Sequence, residues 1–180
     1  MKKNVFTLVI VFILALFVFN PSPSKANEIN EMPKYYDELD REIKPYTQEE
    51  YLEKTKLVFE RFLASESVSS NNMLSNLYPK YFEDFGSASF SNFVWVRSGK
   101  TYKNPLYISI ERLNRTTGLA IYVYDSANTY QGKAVFPKYG SIWHSLDVDY
   151  LPRGKSYKFK LVSESGELAK VSKGEIGYNN

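Results

Sequence analysis

Residues 141–148, SIWHSLDV, hold the single histidine of a 180-residue chain. Imidazole is the side chain best suited to general acid–base work near neutral pH, so His144 is the first residue to weigh for catalysis. In an extended strand Ile142, His144, Leu146 and Val148 share one face, while Trp143, Ser145 and Asp147 share the other. The nearest serine therefore points away from the ring, and no G-x-S-x-G elbow presents a nucleophile. A serine, histidine and acid triad would have to recruit residues distant in sequence. The spacing predicts a core or rim histidine.

Other reaction centres are equally short of ligands or partners. With one histidine and no cysteine, structural zinc lacks the sulfur and imidazole it prefers. Asp147 and Asp149, two residues apart, and the turn at 125–128 supply oxygens that suit calcium, but not at EF-hand spacing. Aspartates in turns also bond to their own backbone, and Arg153 or Lys155 can pair the two carboxylates. No metal and no cofactor are expected. Residues 98–101, SGKT, end like a phosphate-binding loop, yet the glycine that motif needs five residues before Gly99 is Val94; a hairpin turn is the expectation. Glycoside hydrolysis needs two acids flanking a sugar, and the second half of the chain offers Glu111, Asp125, Asp147, Asp149, Glu164, Glu167 and Glu175, most of them in turn-like sequence. A secreted hydrolase using dispersed carboxylates or His144 is thus the alternative reading, with no catalytic residue assigned.

The positive signal is aromatic and basic. Tyrosine occurs 15 times and aromatics make up 16% of the chain. Tyr102, Tyr107, Tyr122, Tyr124, Tyr130, Tyr139 and Tyr150 fall on or beside strand-like segments, where a ring can pack while its hydroxyl stays wet. Interleaved with them are cations. Tyr130, Tyr139, Lys133, Lys138, Arg153, Lys155, Lys158 and Lys160 are the expected binding residues, suited to an anionic cell-wall polymer such as teichoic acid or polysaccharide, or to an acidic secreted protein. Lysines on strands also guard sheet edges against aggregation.

The elements that must position these residues follow from periodicity. Thr47-Gln48-Glu49-Glu50 is a capping box, and Tyr51, Leu52, Thr55, Val58, Phe59, Phe62 and Leu63 then recur at helical spacing; an amphipathic helix is predicted over 48–64. A shorter helix broken by Pro79 is predicted over 73–85. From residue 89 the period becomes two. Strands are predicted at 90–96, 106–113, 119–124, 134–136, 142–148, 156–162 and 169–176, separated by turn-forming sequence such as 114–118, 125–132, 151–154 and 164–166. Strands so closely spaced pair antiparallel.

The fold class is therefore mainly β: an antiparallel β-sandwich of about seven strands preceded by an amphipathic α-helical region. Three segments follow: a secretory signal peptide at 1–26, a polar lead and helical region at 27–88, and the β-sandwich domain at 89–180. The leader expectation rests on Lys2 and Lys3, the apolar run 5–19 and the small residues Ser24 and Ala26; the run is too short to span a bilayer as a helix. It implies a secreted protein, extracellular or cell-wall associated, of Gram-positive bacterial style, with no stable membrane insertion after cleavage.

Lys2, Lys3 and Lys25 account for the whole net charge of +3, so the remaining chain is balanced. That removes the general case for nucleic acid as a partner. The balance hides a polarity: residues 27–85 carry 13 acidic and 7 basic groups, residues 86–180 carry 7 and 13. Composition, charge and the shortage of reactive groups together favour a non-catalytic binding or interaction module.

Overall fold

The computed structural model describes residues 31–66, 79–139 and 142–180; the leader segment and the 73–78 part of the expected second helix lie outside the described residues. Two antiparallel sheets face one another. The larger joins β1 (Lys34–Tyr36), β2 (Glu42–Ile43), β5 (Phe93–Trp95), β6 (Tyr102–Lys103), β8 (Leu119–Asp125), β9 (Tyr130–Val135) and β11 (Ser156–Ser163). Its order is β2-β1-β9-β8-β11-β5, with β6 also on β11. The smaller joins β3 (Tyr81–Phe85), β4 (Ala88–Phe90), β7 (Pro105–Arg112), β10 (Trp143–Asp147) and β12 (Ala169–Tyr178), in the order β10-β7-β12-β3 with β4 also on β12.

The strand alternation is what the period of two dictates. On β11 Tyr157, Phe159 and Leu161 turn inward, and they meet Ile108, Ile110, Val171 and Ile176 of the smaller sheet in one buried core. Burying each such side chain contributes roughly 1.5–3 kcal/mol, which suits a chain with no disulfide to constrain it. Two glycines mark places where side chains would obstruct this packing. A Cβ on Gly174 would lie 2.1 Å from the Phe85 ring, and one on Gly132 would lie 2.3 Å from the Tyr36 carbonyl oxygen at φ +126°. Gly132 therefore lets β1 close onto β9.

The helix α1 spans Gln48–Glu66. Its capping box is formed: the Glu50 amide donates to Thr47 Oγ1 at 3.2 Å and the Thr47 amide to Glu50 Oε2 at 2.8 Å. Tyr51, Thr55 and Val58 are buried against β10, where Phe59 packs on Trp143 with ring centres 5.2 Å apart. Both faces of β10 are covered as a result, one by the sandwich core and one by the helix.

Several expectations need correction. The expected antiparallel β-sandwich with its amphipathic helix is present, and short strands at 34–36, 42–43, 81–85, 88–90 and 102–103 raise the strand number above seven. Sandwich strands thus begin well before residue 89. Residues 81–85 form a strand instead of helix: Phe85 turns inward over Gly174, while Phe82 pairs with Gly177. The 98–100 turn is no hairpin either. β5 and β6 lie along the same partner β11, and the segment between them is a left-handed excursion with φ of +47°, +57° and +83° at Arg97, Ser98 and Gly99. Glu83 braces it from the opposite sheet, pairing Arg97 at 2.8 Å and also Lys100.

Candidate binding face

The outer surface of the larger sheet gathers the aromatic and basic residues into order. Strand register places Glu42, Tyr36, Lys133, Tyr122, Lys160 and Trp95 in one line across β2, β1, β9, β8, β11 and β5. Because side chains directly opposite in register share a face, this line alternates ring and ammonium over five neighbouring strands. The contacts confirm it. Lys133 Nζ lies 5.3 Å from the ring centres of both Tyr36 and Tyr122. Lys160 Nζ lies 4.5 Å from Trp95, 4.5 Å from Tyr124 and 4.7 Å from Phe93.

A second line reinforces the first. Lys158 is opposite Tyr124, which is opposite Tyr130 across an irregularity in β8 and β9. Tyr130 packs on Tyr122 and Tyr124 with centres 5.6 and 5.7 Å apart, and Trp95 packs on Tyr124 at 5.2 Å. Lys158 Nζ sits 5.5 Å from Trp95 and hydrogen-bonds Asn128. Ring faces carry negative quadrupole, so each cation is held over π density at about 0.5–2 kcal/mol per contact.

The two ends of the face differ electrostatically. Lys133 donates to Glu164 at 2.7 Å and lies 3.6 Å from Asp40. Burial works against its charge, but the Glu164 bond and the surrounding negative groups hold its pKa above the ordinary lysine value. Tyr122 is pushed up to about 12 by burial and then by its bond to Glu164, so its phenol stays protonated. Lys158 and Lys160, by contrast, pair with no carboxylate among the described residues. Lys160 donates instead to the Tyr124 hydroxyl at 3.2 Å. Lys158 is buried, so the half-buried Lys160, set among rings and without an acidic partner among the described residues, is the cation that makes this end anion-attracting.

The eight expected binding residues fall into three places. Lys133, Lys158, Lys160 and Tyr130 lie on this face. Arg153 and Lys155 occupy the turn before β11, where Arg153 donates to the carbonyls of Pro105 at 2.9 Å and Asn104 at 3.1 Å; Lys155 is exposed beside it. Lys138 and Tyr139 lie in the connection between β9 and β10, Lys138 Nζ 6.0 Å from the exposed Tyr139 ring. Tyr36, Phe93 and Trp95, which are not among the eight expected residues, complete the face. Parity within the short run Phe93-Val94-Trp95 was the available signal, since it sets Phe93 and Trp95 on one face.

The residues weighed for catalysis and metal binding are spoken for in other ways. His144 is opposite Ile110 on the inner face of β10, its ring 4.7 Å from Phe136. Burial, then the Arg112 charge, pushes its pKa down to about 3. Asp149 accepts from Tyr46 and from Lys54 at 2.7 Å, tying α1 to the loop after β10. Asp125 Oδ1 accepts from the Ala127 and Thr129 amides at 2.9 and 2.8 Å, which closes its turn. Asp147 lies on the outer face of β10, below α1. Burial pushes it up to about 7, with Lys54 opposing and Asp149 adding to the rise.

No protein-family model matches the chain, and a search of curated proteins finds no similar sequence.

Proposed function

We propose that this protein is a secreted, non-catalytic binding module whose outer seven-stranded face takes up an anionic cell-envelope polymer. The observation that carries the reading is the alternating line Tyr36, Lys133, Tyr122, Lys160 and Trp95, in which Lys160 lacks a carboxylate partner among the described residues. Half-buried rings offer apolar edges and phenol hydroxyls to a sugar while ammonium groups attract carboxylate or phosphate. The outer face of a twisted sheet admits an extended chain lying across its strands. An acidic secreted protein is the other partner with suitable charge.

Support for export comes from the 1–26 leader sequence and its bacterial style, which favour a site outside the cell or on its wall. The hydrolase alternative gains little support, since His144 is enclosed in the sandwich and resists protonation.

The test is cosedimentation of the mature chain with insoluble cell-wall material at low and high salt. Binding that weakens with salt is expected, with loss in Trp95→Ala and Lys160→Gln. Retention of full binding in both variants would remove this face from consideration.

A further inference from the structure

One end of the sandwich turns large apolar side chains towards solvent. Leu113 is 64% exposed, Tyr139 67%, Ile142 52% and Leu168 50%. A single exposed leucine is ordinary on a folded protein, whereas a cluster marks a contact site. These four come from three segments tied to one another where β7 ends and β10 and β12 begin. The Leu113 amide donates to the Lys170 carbonyl at 2.8 Å. Asn114 closes the same gap, its Nδ2 donating to the Leu168 carbonyl and its Oδ1 accepting from the Lys170 amide, both at 2.7 Å. On the other side the Arg112 amide donates to the Ile142 carbonyl at 2.6 Å. The Arg112 guanidinium donates to the carbonyl of Pro137 at 3.1 Å, two residues before Tyr139.

The charge in these segments is mainly positive. Exposed Arg115 and Lys170 and half-buried Lys138 flank the apolar side chains. Buried Arg112 adds a fourth cation, its pKa pushed down to about 10 by burial and then by the Arg115 charge. The two acids of the same segments are engaged, Glu111 by Ser172 Oγ at 2.8 Å and Glu167 by the Thr117 amide at 3.0 Å.

The size of the cluster decides between kinds of partner. A specific protein interface takes about 800 Å² from each side, spread over roughly 20–30 residues, far more than four side chains at strand ends supply. A bilayer surface needs less, since a few apolar groups at the acyl boundary act together with cations over anionic headgroups. We infer that this end of the sandwich docks on an anionic phospholipid surface, with Leu113, Ile142 and Leu168 entering the headgroup boundary and Arg115, Lys138 and Lys170 meeting phosphates. Tyr139 suits the same depth, its ring apolar and its hydroxyl wet. The contact is peripheral and reversible, and it uses no residue of the aromatic line that serves the proposed polymer site.

Cosedimentation of the full mature chain with vesicles tests this, using equal phosphatidylglycerol and phosphatidylcholine in one arm and phosphatidylcholine alone in the other. Binding to the anionic vesicles that weakens with salt is expected, with little binding to phosphatidylcholine. Leu113→Ser with Leu168→Ser should weaken it by at least about tenfold at an unchanged melting temperature, because both side chains are exposed. Arg115→Glu with Lys170→Glu is the second variant and should weaken it comparably while leaving the apolar side chains in place. Absence of binding to anionic vesicles would overturn the inference, including the case in which the parent chain instead self-associates through these leucines. Equal binding by parent and both variants would also overturn it. So would vesicle binding that survives both variants and is lost in Lys160→Gln, which would put the lipid on the sheet face.

Discussion

Lys160 and Trp95 are register partners on adjacent strands, and the lysine ammonium lies 4.5 Å from the tryptophan ring centre. The same ammonium lies over the Tyr124 and Phe93 rings, so a charged side chain sits in an aromatic bed one strand in from the edge of the sheet. Contacts of this kind are worth about 0.5–2 kcal/mol each. A double-mutant cycle with Lys160→Met and Trp95→Leu, read by chemical denaturation, is expected to give a coupling of about 0.5–2 kcal/mol. A coupling near zero would mean that the ring does not hold the cation in solution.

Glu164 bridges Lys133 and Tyr122 at 2.7 Å each, and that carboxylate is the internal rival of an incoming anion. Glu164→Gln keeps the side-chain shape and removes the charge. Anionic-polymer affinity is expected to rise several-fold, within the ~0.5–1 kcal/mol typical of a partly exposed ion pair, and to become more salt-dependent. Unchanged affinity in a binding titration would take Lys133 out of the ligand contact.

Two buried groups on opposite faces of β10 titrate in opposing senses. His144 has a folded pKa near 3 and an unfolded value near 6.5. The unfolded chain binds its proton first, so stability falls as pH drops from about 6.5 towards 3. Asp147 has a folded pKa near 7 and an unfolded value near 3.9; here the folded chain binds the proton, and stability falls as pH rises from about 4 to 7. Between pH 4 and 6.5 the two slopes offset one another. In Asp147→Asn, stability should climb with pH across that window by up to about 1.4 kcal/mol per unit. In His144→Phe it should decline. Identical pH profiles of denaturation midpoint for both variants and the parent chain would contradict the burial of these groups.

Gly132 carries a backbone angle that L side chains rarely adopt, and its Cα faces the Tyr36 carbonyl. Gly132→Ala is expected to cost about 1–3 kcal/mol or more and to displace β1, taking Tyr36 off the face. Gly86→Ala, with open space around it and no positive φ, is the control and should change stability by less than about 0.5 kcal/mol. Thermal denaturation of the pair checks this.

How far the sequence announced this architecture depended on strand length. Long alternating runs such as 156–162 were legible because Tyr157, Phe159 and Leu161 share one face unmistakably. The three residues Lys34-Tyr35-Tyr36 are too few to show a period, and only pairing with β9 reveals them as strand. Residues 81–85 misled for a different reason: Tyr81, Phe82 and Phe85 fit helical spacing as well as sheet spacing, and tertiary packing over Gly174 and Gly177 decides between them. At the candidate face, residue type pointed to lysine and tyrosine, but the line across five strands depends on register between distant segments. Arg153 and Lys138 shared the composition of the face without sharing its place.

The covering of β10 by α1 was equally invisible in one dimension. Alternation on β10 predicted a buried face at His144 and Leu146, as found. It gave no reason for Trp143, Ser145 and Asp147 to be buried too, which follows from the helix laid across them and secured by Lys54 on Asp149.

The most direct test of the binding face uses its own fluorophore. The chain has two tryptophans, Trp95 on the face and Trp143 below the helix, so Trp143→Phe leaves a single reporter at the proposed contact. Titrating this variant with solubilised anionic wall polymer should shift Trp95 emission saturably, with reversal on adding salt. Polymer binding that leaves Trp95 emission unchanged would place the ligand elsewhere and contradict the account.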